Sequence, residues 1–282
     1  ALVIIAGIVG TIRNRWFRTG WAAILLLVLA GEINAYIPLG RNTGSTASGT
    51  EPGRILRVLT FNTAVKWPRE LGSYLLEEDI DLVCLQEVYS HYVDTLAYLA
   101  RKNGYQERHL KLRDDAGVFG MIFVRGEFRN EMELVEISHR GENRFFLIAD
   151  VEVQNRQLRI ANLHLESNNR EFGLDSFLKS SGYRILQAKQ IAAVADTTTL
   201  PMLVIGDLNA TPTNRTIRPL RVRFKDAWHT AGHLLGGTWE RTFPVFRIDY
   251  VLYRGFTGAI NGRVLDTIST SDHLPLQVDM VW

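Results

Sequence analysis

The sequence has little cysteine and little net charge. Cys84 is the single cysteine among 282 residues, so no disulfide can form within the chain. It lies in the apolar run Asp81–Gln86, which indicates a small, buried core residue. A chain this long can build its core without disulfides, so their absence does not exclude an extracytoplasmic location. The formal net charge of only +2 gives no overall field that would favour a nucleic-acid partner.

The sequence also lacks an initiating methionine and a polar start. It opens at Ala1 inside an apolar run, so we expect a start that was cut or processed. A second apolar stretch covers Gly20–Leu39, and about twenty helical residues span roughly 30 Å, the hydrocarbon thickness of a bilayer. We therefore expect residues 1–40 to form one or more transmembrane segments. Glu32 is the objection, because a carboxylate near the bilayer centre costs about 2.5 to 3.5 kcal/mol, and an interfacial or cleaved segment or a buried helix remain alternatives.

Basic residues around the second apolar stretch are distributed unevenly. Arg13, Arg15 and Arg18 precede the stretch, whereas Arg41 is the single basic residue for a dozen positions after it. The positive-inside rule then places the arginine side in the cytoplasm. We predict a membrane protein whose catalytic domain is extracytoplasmic. Residues 41–53 are rich in Gly, Ser and Thr and predict a flexible linker before a catalytic domain at 54–282.

After the linker, strand-like and helix-like runs alternate. Apolar runs of strand length predict eight strands: Ile55–Asn62, Asp81–Gln86, Val118–Val124, Phe145–Val153, Leu158–Leu165, Met202–Ile205, Arg247–Tyr253 and Leu276–Val281. Helical spacing predicts helices at Arg69–Glu78, His91–Asn103 and Tyr183–Ala195. Many strands with few helices favour an α/β protein whose core is one sheet packed on another.

Polar side chains recur where these apolar strands end. The residues concerned are Asn62, Glu87, His164, Asp207, Asn209, Asp249, Asp272 and His273. Taken singly, each has an ordinary explanation, since Asn62 can cap a turn and His164 can be a satisfied core histidine. Their order and their flanking residues together indicate a catalytic site.

These motifs resemble those of the endonuclease/exonuclease/phosphatase superfamily from about Arg54 to Trp282. The elements that carry the resemblance are Asn62, Leu-Gln-Glu87, His164, Gly-Asp207-Leu-Asn209, Ile-Asp249-Tyr and Ser-Asp272-His273. The resemblance implies a DNase I-like fold, in which two mixed β-sheets pack face to face with helices outside. It also implies that the site lies where the strand ends converge.

The resemblance further implies hydrolysis of phosphate esters with Mg²⁺, for which Mn²⁺ can substitute. Asn62, Glu87 and Asp272 would supply the oxygen ligands that this hard cation prefers. Asp207 would activate the attacking water, while Asn209 would hydrogen-bond the phosphoryl oxygens. His273, oriented by Asp249, and His164 would stabilise the developing negative charge.

Two departures narrow the subfamily. Abasic-site endonucleases usually carry an acidic residue two positions after the first asparagine and a tyrosine at the histidine position, whereas this chain has Ala64 and His164. The pattern is closer to the DNase I, sphingomyelinase and inositol-phosphatase branches, and the apolar start resembles membrane-anchored VanJ-type lipid-pyrophosphate phosphatases. We expect a lipid-linked phosphate or a phospholipid as substrate and a membrane as partner. A DNase-like nuclease and a soluble inositol-phosphate phosphatase remain alternatives, and no protein partner is inferred.

A basic stretch follows the Asp207 motif. Arg215 and Arg218 are candidate substrate-binding residues. In Arg221, Arg223 and Lys225 the charges alternate with apolar residues, so a strand would carry all three on one face. That face would either protect an edge strand or contact phosphate or lipid headgroups.

Four aromatic residues lie near the later motifs. Trp228, Trp239, Phe243 and Phe246 would form an apolar rim for a lipid or belong to the core. The sequence alone leaves both interpretations open.

Overall fold

The computed structural model describes residues 55–111, 117–131, 133–137, 144–168 and 174–282, together with the isolated positions 20, 24 and 30. The predicted membrane segment at 1–40 and the predicted linker at 41–53 therefore lie, apart from those three positions, outside the described residues. Among the residues that are described, no helix combines the length and the apolar character needed to cross a bilayer.

The first sheet has six strands. In spatial order they are β12 (Gly258–Val264), β13 (Leu276–Val281), β1 (Ile55–Asn62), β2 (Leu82–Tyr89), β4 (Val118–Val124) and β3 (Gln106–Lys111). β1 and β2 run parallel, whereas the other neighbouring pairs are antiparallel. The sheet is therefore mixed, as expected.

The second sheet has seven strands among the described residues. Six lie in the order β10 (Lys225–Asp226), β11 (Asp249–Arg254), β9 (Met202–Asp207), β8 (Arg156–His164), β7 (Arg144–Val153) and β5 (Glu127–Phe128), and β6 (Glu133–Ile137) pairs with β7. β8 and β9 form its one parallel pair within the described chain.

Alternation along the strands produces a layered molecule. In β1, Leu56 and Val58 point into the core between the sheets, whereas Leu59 and Phe61 point outward against helices. Strands that are buried on both faces are rich in apolar residues, which explains why the sequence predicts β1 and β9. Cys84 is fully buried in the core between the sheets, as expected, and burial raises the pKa of its thiol.

Helices cover the outer faces of both sheets. The described helices are α1 (Leu71–Glu77), α2 (Ser90–Lys102), α3 (Leu174–Ala195), α4 (Arg218–Arg221) and α5 (Ala227–Ala231), with a 3₁₀ turn at Arg215–Ile217. α1 and α2 pack on the first sheet, and α3 packs on the second. The predicted sandwich of two mixed sheets with flanking helices is confirmed.

One local expectation was wrong. The segment from Arg221 to Lys225 is not a strand that carries three charges on one face. Arg221 ends α4, Arg223 forms a bidentate pair with the Asp196 carboxylate, and Lys225 begins the two-residue strand β10. Phe224 is buried against the outer face of the second sheet and lies in the turn between α4 and β10.

Candidate active site

Strand register brings the polar strand ends together. Because β1 and β2 run parallel, Asn62 lies opposite Gln86 and beside Glu87. Because β8 and β9 run parallel, His164 lies opposite Asp207 at the same edge. β11 runs in the opposite direction, so it begins rather than ends there, with Asp249 opposite Asp207.

Asp207 lies at the centre of the cluster and is buried. Its Oδ1 accepts a hydrogen bond from the Asn209 main-chain nitrogen at 2.7 Å. Its Oδ2 accepts from Asn62 Nδ2 at 3.0 Å and from Asn209 Nδ2 at 3.2 Å. Asn209 has a positive φ of 47°, which turns its side chain back toward the carboxylate. The Gly-Asp-x-Asn motif therefore acts as one hydrogen-bonded unit.

Glu87 reaches the same cluster through an irregularity in β2. Its φ is 51°, and the register with β4 shifts between Leu85 and Val88. This bulge re-aims the Glu87 side chain, which is 28% exposed. Glu87 Oε1 lies 3.3 Å from Asn62 Nδ2 and 3.1 Å from His164 Nε2. The carboxylate thus links residues from both sheets.

His273 and Asp249 form a buried pair. His273 Nδ1 lies 2.9 Å from Asp249 Oδ2, and His273 Nε2 faces Asp207 Oδ2 at 3.8 Å. The Ser271 hydroxyl accepts a hydrogen bond from the His273 main-chain nitrogen and donates one to the Asn62 carbonyl. Ser271 therefore fastens the histidine loop to the end of β1.

Burial and charge shift the protonation of this cluster. Burial raises the pKa of Asp207 to about 7, and the nearby Asp249 carboxylate adds to the increase. For His273, burial opposes the charged ring, but the Asp249 carboxylate outweighs it and raises the pKa of His273 to about 10. The histidine is therefore a cation at neutral pH, positioned beside a carboxyl group that changes protonation near neutrality.

The donor set fits a hard divalent cation. Glu87 and Asp207 present carboxylate oxygens within one hydrogen-bonded cluster. Asn62 joins them through its Nδ2, while its Oδ1 accepts a hydrogen bond from the Ala64 main-chain nitrogen. Asp207, Asp249 and His273 also offer ligand atoms within 4.8 Å of one another. We favour the oxygen donors, because the His273 ring is already engaged by Asp249 and carries a proton. Buried carboxylates this close together favour a cation between them.

Three predicted site residues lie away from this cluster. Asp272 is exposed, and its Oδ1 lies 3.4 Å from the hydroxyl oxygen of the adjacent Ser271, whose proton is donated to the Asn62 carbonyl. Arg215 and Arg218 are exposed around the start of α4. None of the three lines the central cavity, so their roles in metal or substrate binding stay predictions.

A cavity of about 430 Å³ opens onto the cluster. It is lined by Glu87, His164, Ser167, Asn168, Phe177, Arg184, Asp207, Asn209, Ala210, Thr211, Asn214, Trp239, Phe246, Ile248 and His273. Five predicted catalytic or metal-binding residues therefore border one space: Glu87, His164, Asp207, Asn209 and His273.

Aromatic side chains form part of the cavity wall. Trp239 and Phe246 are 36% and 44% exposed, and their ring centroids lie 5.9 Å apart. Main-chain bridges connect Trp239 to both Phe246 and His273, so the aromatic wall is attached to the predicted catalytic histidine. Both interpretations of the aromatic residues therefore apply: Trp239 and Phe246 line the cavity, whereas Trp228 belongs to the core. Phe243 is 73% exposed but does not line the cavity.

Sequence reasoning missed two groups of polar residues. Gln86 Nε2 donates to Asn162 Oδ1 at 2.8 Å, and Asn162 Nδ2 donates to the Leu85 and Met121 carbonyls, so these buried amides join the two sheets beneath the site. Arg184 lines the cavity from α3. The sequence signal for it was the position of Arg184 four residues before Ala188, in line with the apolar stripe of that helix.

Comparisons with known proteins agree with this geometry. A sequence model described as the Endonuclease/Exonuclease/phosphatase family matches residues 59–273. Nocturnin from Rattus norvegicus is 28% identical over 175 residues, which cover 55% of this chain and 39% of nocturnin. The chain therefore matches about two fifths of the length of that relative.

Solved structures show the same fold. A conserved protein of unknown function from Enterococcus faecalis V583 superposes with a TM-score of 0.66 at 19% identity, covering 80% of this chain and 99% of that one. Sphingomyelinase C from Streptomyces griseocarneus superposes with a TM-score of 0.61 at 17% identity, covering 80% of this chain and 99% of that one. At such identities the similarity establishes the fold alone.

Proposed function

Because the chain belongs to the endonuclease/exonuclease/phosphatase family, whose members hydrolyse phosphate esters, we propose that it is a Mg²⁺-dependent phosphoesterase acting on a lipid-linked phosphate. The observation that carries the proposal is the cavity that joins Asp207, His164 and His273 to an aromatic wall. The polar side suits a phosphoryl group, and the aromatic side suits an apolar group attached to it.

Asp207 is the base of the proposed reaction. It accepts a proton from water while the water oxygen bonds to phosphorus, and the bond from phosphorus to the departing oxygen breaks. That oxygen leaves with the bonding electron pair, and His164 hydrogen-bonds it at the mouth of the site. The charged His273 ring donates to the phosphoryl oxygens that gain negative charge. Asn209, whose amide group bonds Asp207 and the Leu165 carbonyl, holds the base in position.

Asp249 acts through His273. Its bond to Nδ1 holds the ring so that Nε2 faces the reaction centre. Glu87 would hold the Mg²⁺, for which Mn²⁺ can substitute, and Asn62, whose amide group lies against Glu87, is the predicted second ligand. Bound there, the cation would neutralise charge on the phosphoryl oxygens. Asp272 remains a candidate ligand from the rim.

The lipid assignment rests on the apolar part of the cavity. Phe177, Trp239 and Phe246 are half-exposed around a cavity whose centre is strongly polar. Exposed aromatic side chains of this kind are costly to hydrate and commonly mark a binding surface. Together with the apolar start of the sequence, they support a membrane-anchored enzyme. The arginines that precede the second apolar stretch support a catalytic domain outside the cytoplasm.

A nuclease activity is the second candidate. Aromatic side chains also stack on unpaired bases, and the family to which the chain belongs includes endonucleases and exonucleases. The net charge of +2 argues against it, because nucleic-acid affinity depends strongly on neutralising phosphates.

The test is a substrate screen of the full chain in detergent micelles. A lipid diphosphate, a phospholipid and plasmid DNA are compared with Mg²⁺, with Mn²⁺ and with chelator. We expect metal-dependent release of phosphate or headgroup from a lipid. Hydrolysis of DNA in preference to both lipids would refute the lipid assignment.

A matched pair of aromatic variants tests the wall. Phe246→Ala should raise KM for the lipid substrate, whereas Tyr98→Ala, which removes a 59% exposed aromatic side chain from α2, should not. Equal effects of the two substitutions would show that the aromatic wall does not bind the lipid.

A further inference from the structure

The buried face of α3 changes from apolar to polar along its length. Its last two turns bury Ala188, Ile191, Ala192 and Ala195 against the second sheet. One turn earlier on the same face lies Arg184, which is 1% exposed. A helix that packs against a core has no packing reason to place a guanidinium there.

Arg184 is held in place by the loop after β8. Its Nη1 donates to the Glu166 carbonyl at 2.9 Å, and Gln187 Oε1 accepts from the Glu166 main-chain nitrogen at 2.9 Å. Arg184 and Gln187, on one turn of α3, thus bond both main-chain groups of Glu166, two residues beyond His164. The guanidinium is fixed beside the catalytic cavity, which it lines.

The charge of Arg184 is incompletely compensated. In the part of the chain that the structure describes, Arg184 forms no ion pair, and its buried Nε has no hydrogen-bond acceptor. Burial lowers the pKa of Arg184, although Glu166 and Asp207 act in the opposite direction. A buried, unpaired cation and an unsatisfied donor are both costly, and an anionic ligand in the cavity would relieve both.

The reaction centre already has its own donors. His273 Nε2 faces Asp207 Oδ2 at 3.8 Å, and His164 Nε2 lies 3.1 Å from Glu87 Oε1. Arg184 reaches the cavity from α3, where it is bonded to the loop after β8. The aromatic wall reaches it from another segment, which is bridged to His273. A substrate that fills the cavity therefore meets one cationic group in addition to those at the scissile phosphate.

We propose that Arg184 forms a second anion subsite, which binds the non-scissile phosphate of a diphosphate-containing substrate. The assignment of a diphosphate substrate rests on the proposed phosphoesterase function. Binding of an anion by Arg184 does not depend on that function. Ser167 and Asn214 line the same cavity. The Asn214 side-chain Oδ1 accepts a hydrogen bond from the Thr216 main-chain nitrogen, which leaves the side-chain Nδ2 as the donor toward a ligand.

Calorimetric titration without divalent ions tests the subsite alone. Methylenediphosphonate is titrated into the full chain, its R184M variant and K189M, which removes an exposed charge from the same helix. We expect R184M to weaken binding about 10- to 100-fold, the usual worth of a buried charge-assisted hydrogen bond, and K189M to leave it unchanged. No binding by the wild type, or equal binding by R184M, would overturn the proposal.

A folding control keeps this test decisive. Should R184M fail to unfold cooperatively, R184K replaces it, since lysine keeps the charge but cannot bond Glu166 and a ligand with one planar group. Weaker binding by R184K, by about 3-fold or more, then supports the subsite. Unchanged binding by R184K overturns it.

Turnover separates the subsite from the proposed function. With Mg²⁺, farnesyl diphosphate and farnesyl phosphate are compared by kcat/KM. The kcat/KM for the diphosphate divided by that for the monophosphate should fall at least about 10-fold in R184M and stay constant in K189M. An unchanged ratio would refute the diphosphate assignment. Anion binding without hydrolysis of either ester would refute the phosphoesterase proposal while leaving the subsite intact.

Discussion

Replacing Asp207 with Asn should remove activity while improving stability at alkaline pH. The amide cannot accept a proton from water, and loss of a general base typically slows turnover about 10²- to 10⁴-fold. The stability effect follows from the pKa of Asp207, which burial raises from 3.8 to about 7. At about 1.4 kcal/mol per pH unit, the difference corresponds to about 4 kcal/mol of destabilisation when the carboxylate is fully charged.

The sign follows from proton binding. Between pH 3.8 and about 7, the folded chain holds a proton at Asp207 that the unfolded chain has released. Wild-type stability from this group therefore falls as pH rises through that window and levels off above it. Asn has no such dependence. From pH 5 to pH 8 the difference in unfolding free energy should shift by up to about 3 kcal/mol in favour of the variant.

The hydrogen bonds that the substitution disrupts contribute a cost that does not depend on pH. The new amide would face the Asn62 and Asn209 amide donors, which destabilises the fold by about 1 to 3 kcal/mol. Urea unfolding with chelator at pH 5, 6, 7 and 8 separates this constant cost from the pH-dependent gain. Asp196→Asn, an exposed control, should change neither turnover nor the pH dependence. Wild-type turnover in Asp207→Asn, or a stability difference that is flat with pH, would refute the reasoning.

Three further outcomes are expected. Glu87→Gln removes one ligand charge and should weaken Mg²⁺ binding at least about 10-fold by calorimetry; unchanged affinity would exclude Glu87 from the metal site. Asp249→Asn should slow turnover less than His273→Ala, and the double variant should be no slower than His273→Ala, whereas additive losses would mean that the two act separately. Asp226→Ala leaves the buried Arg247 guanidinium without its bidentate partner and should lower the unfolding free energy by about 3 to 5 kcal/mol in denaturant titration. A decrease below about 1 kcal/mol would show that Arg247 is well solvated without it.

The central strands were predictable because they are buried on both faces. β1 was predicted with the bounds Ile55–Asn62 that the structure has, since five of its eight residues are apolar and the run has the length of a strand. Edge strands lack this signal. β3 at Gln106–Lys111 is half-exposed and largely polar, and β12 contains a register shift between Ile260 and Arg263. Neither was predicted, because pairing with a neighbour, not local pattern, stabilises them.

The site was predictable as a set of residue types but not as a set of distances. The motif order identified Asp207 and His273, but the 3.1 Å contact between Glu87 and His164 depends on a bulge in β2 and on how the sheets dock. The segment after Arg218 was misread because alternating charges suggested a strand. Pro219 at the start of α4 was the local sign of a helical turn. Arg184 was missed because a single charged residue in an apolar stripe has no functional meaning in the sequence alone. The cavity that Arg184 lines is visible only in the structure.

The buried Cys84 gives the molecule a built-in reporter of its own opening. The chain has a single thiol, and that thiol is sealed between the two sheets whose edges form the site. A thiol reagent can reach it only while the sheets separate or the chain unfolds, so the labelling rate measures that event without an introduced probe. If an anion and a metal ion bridge residues from both sheets, adding them should slow the labelling of Cys84. The labelling rate of Cys84 would thus measure how strongly the occupied site holds the two sheets together.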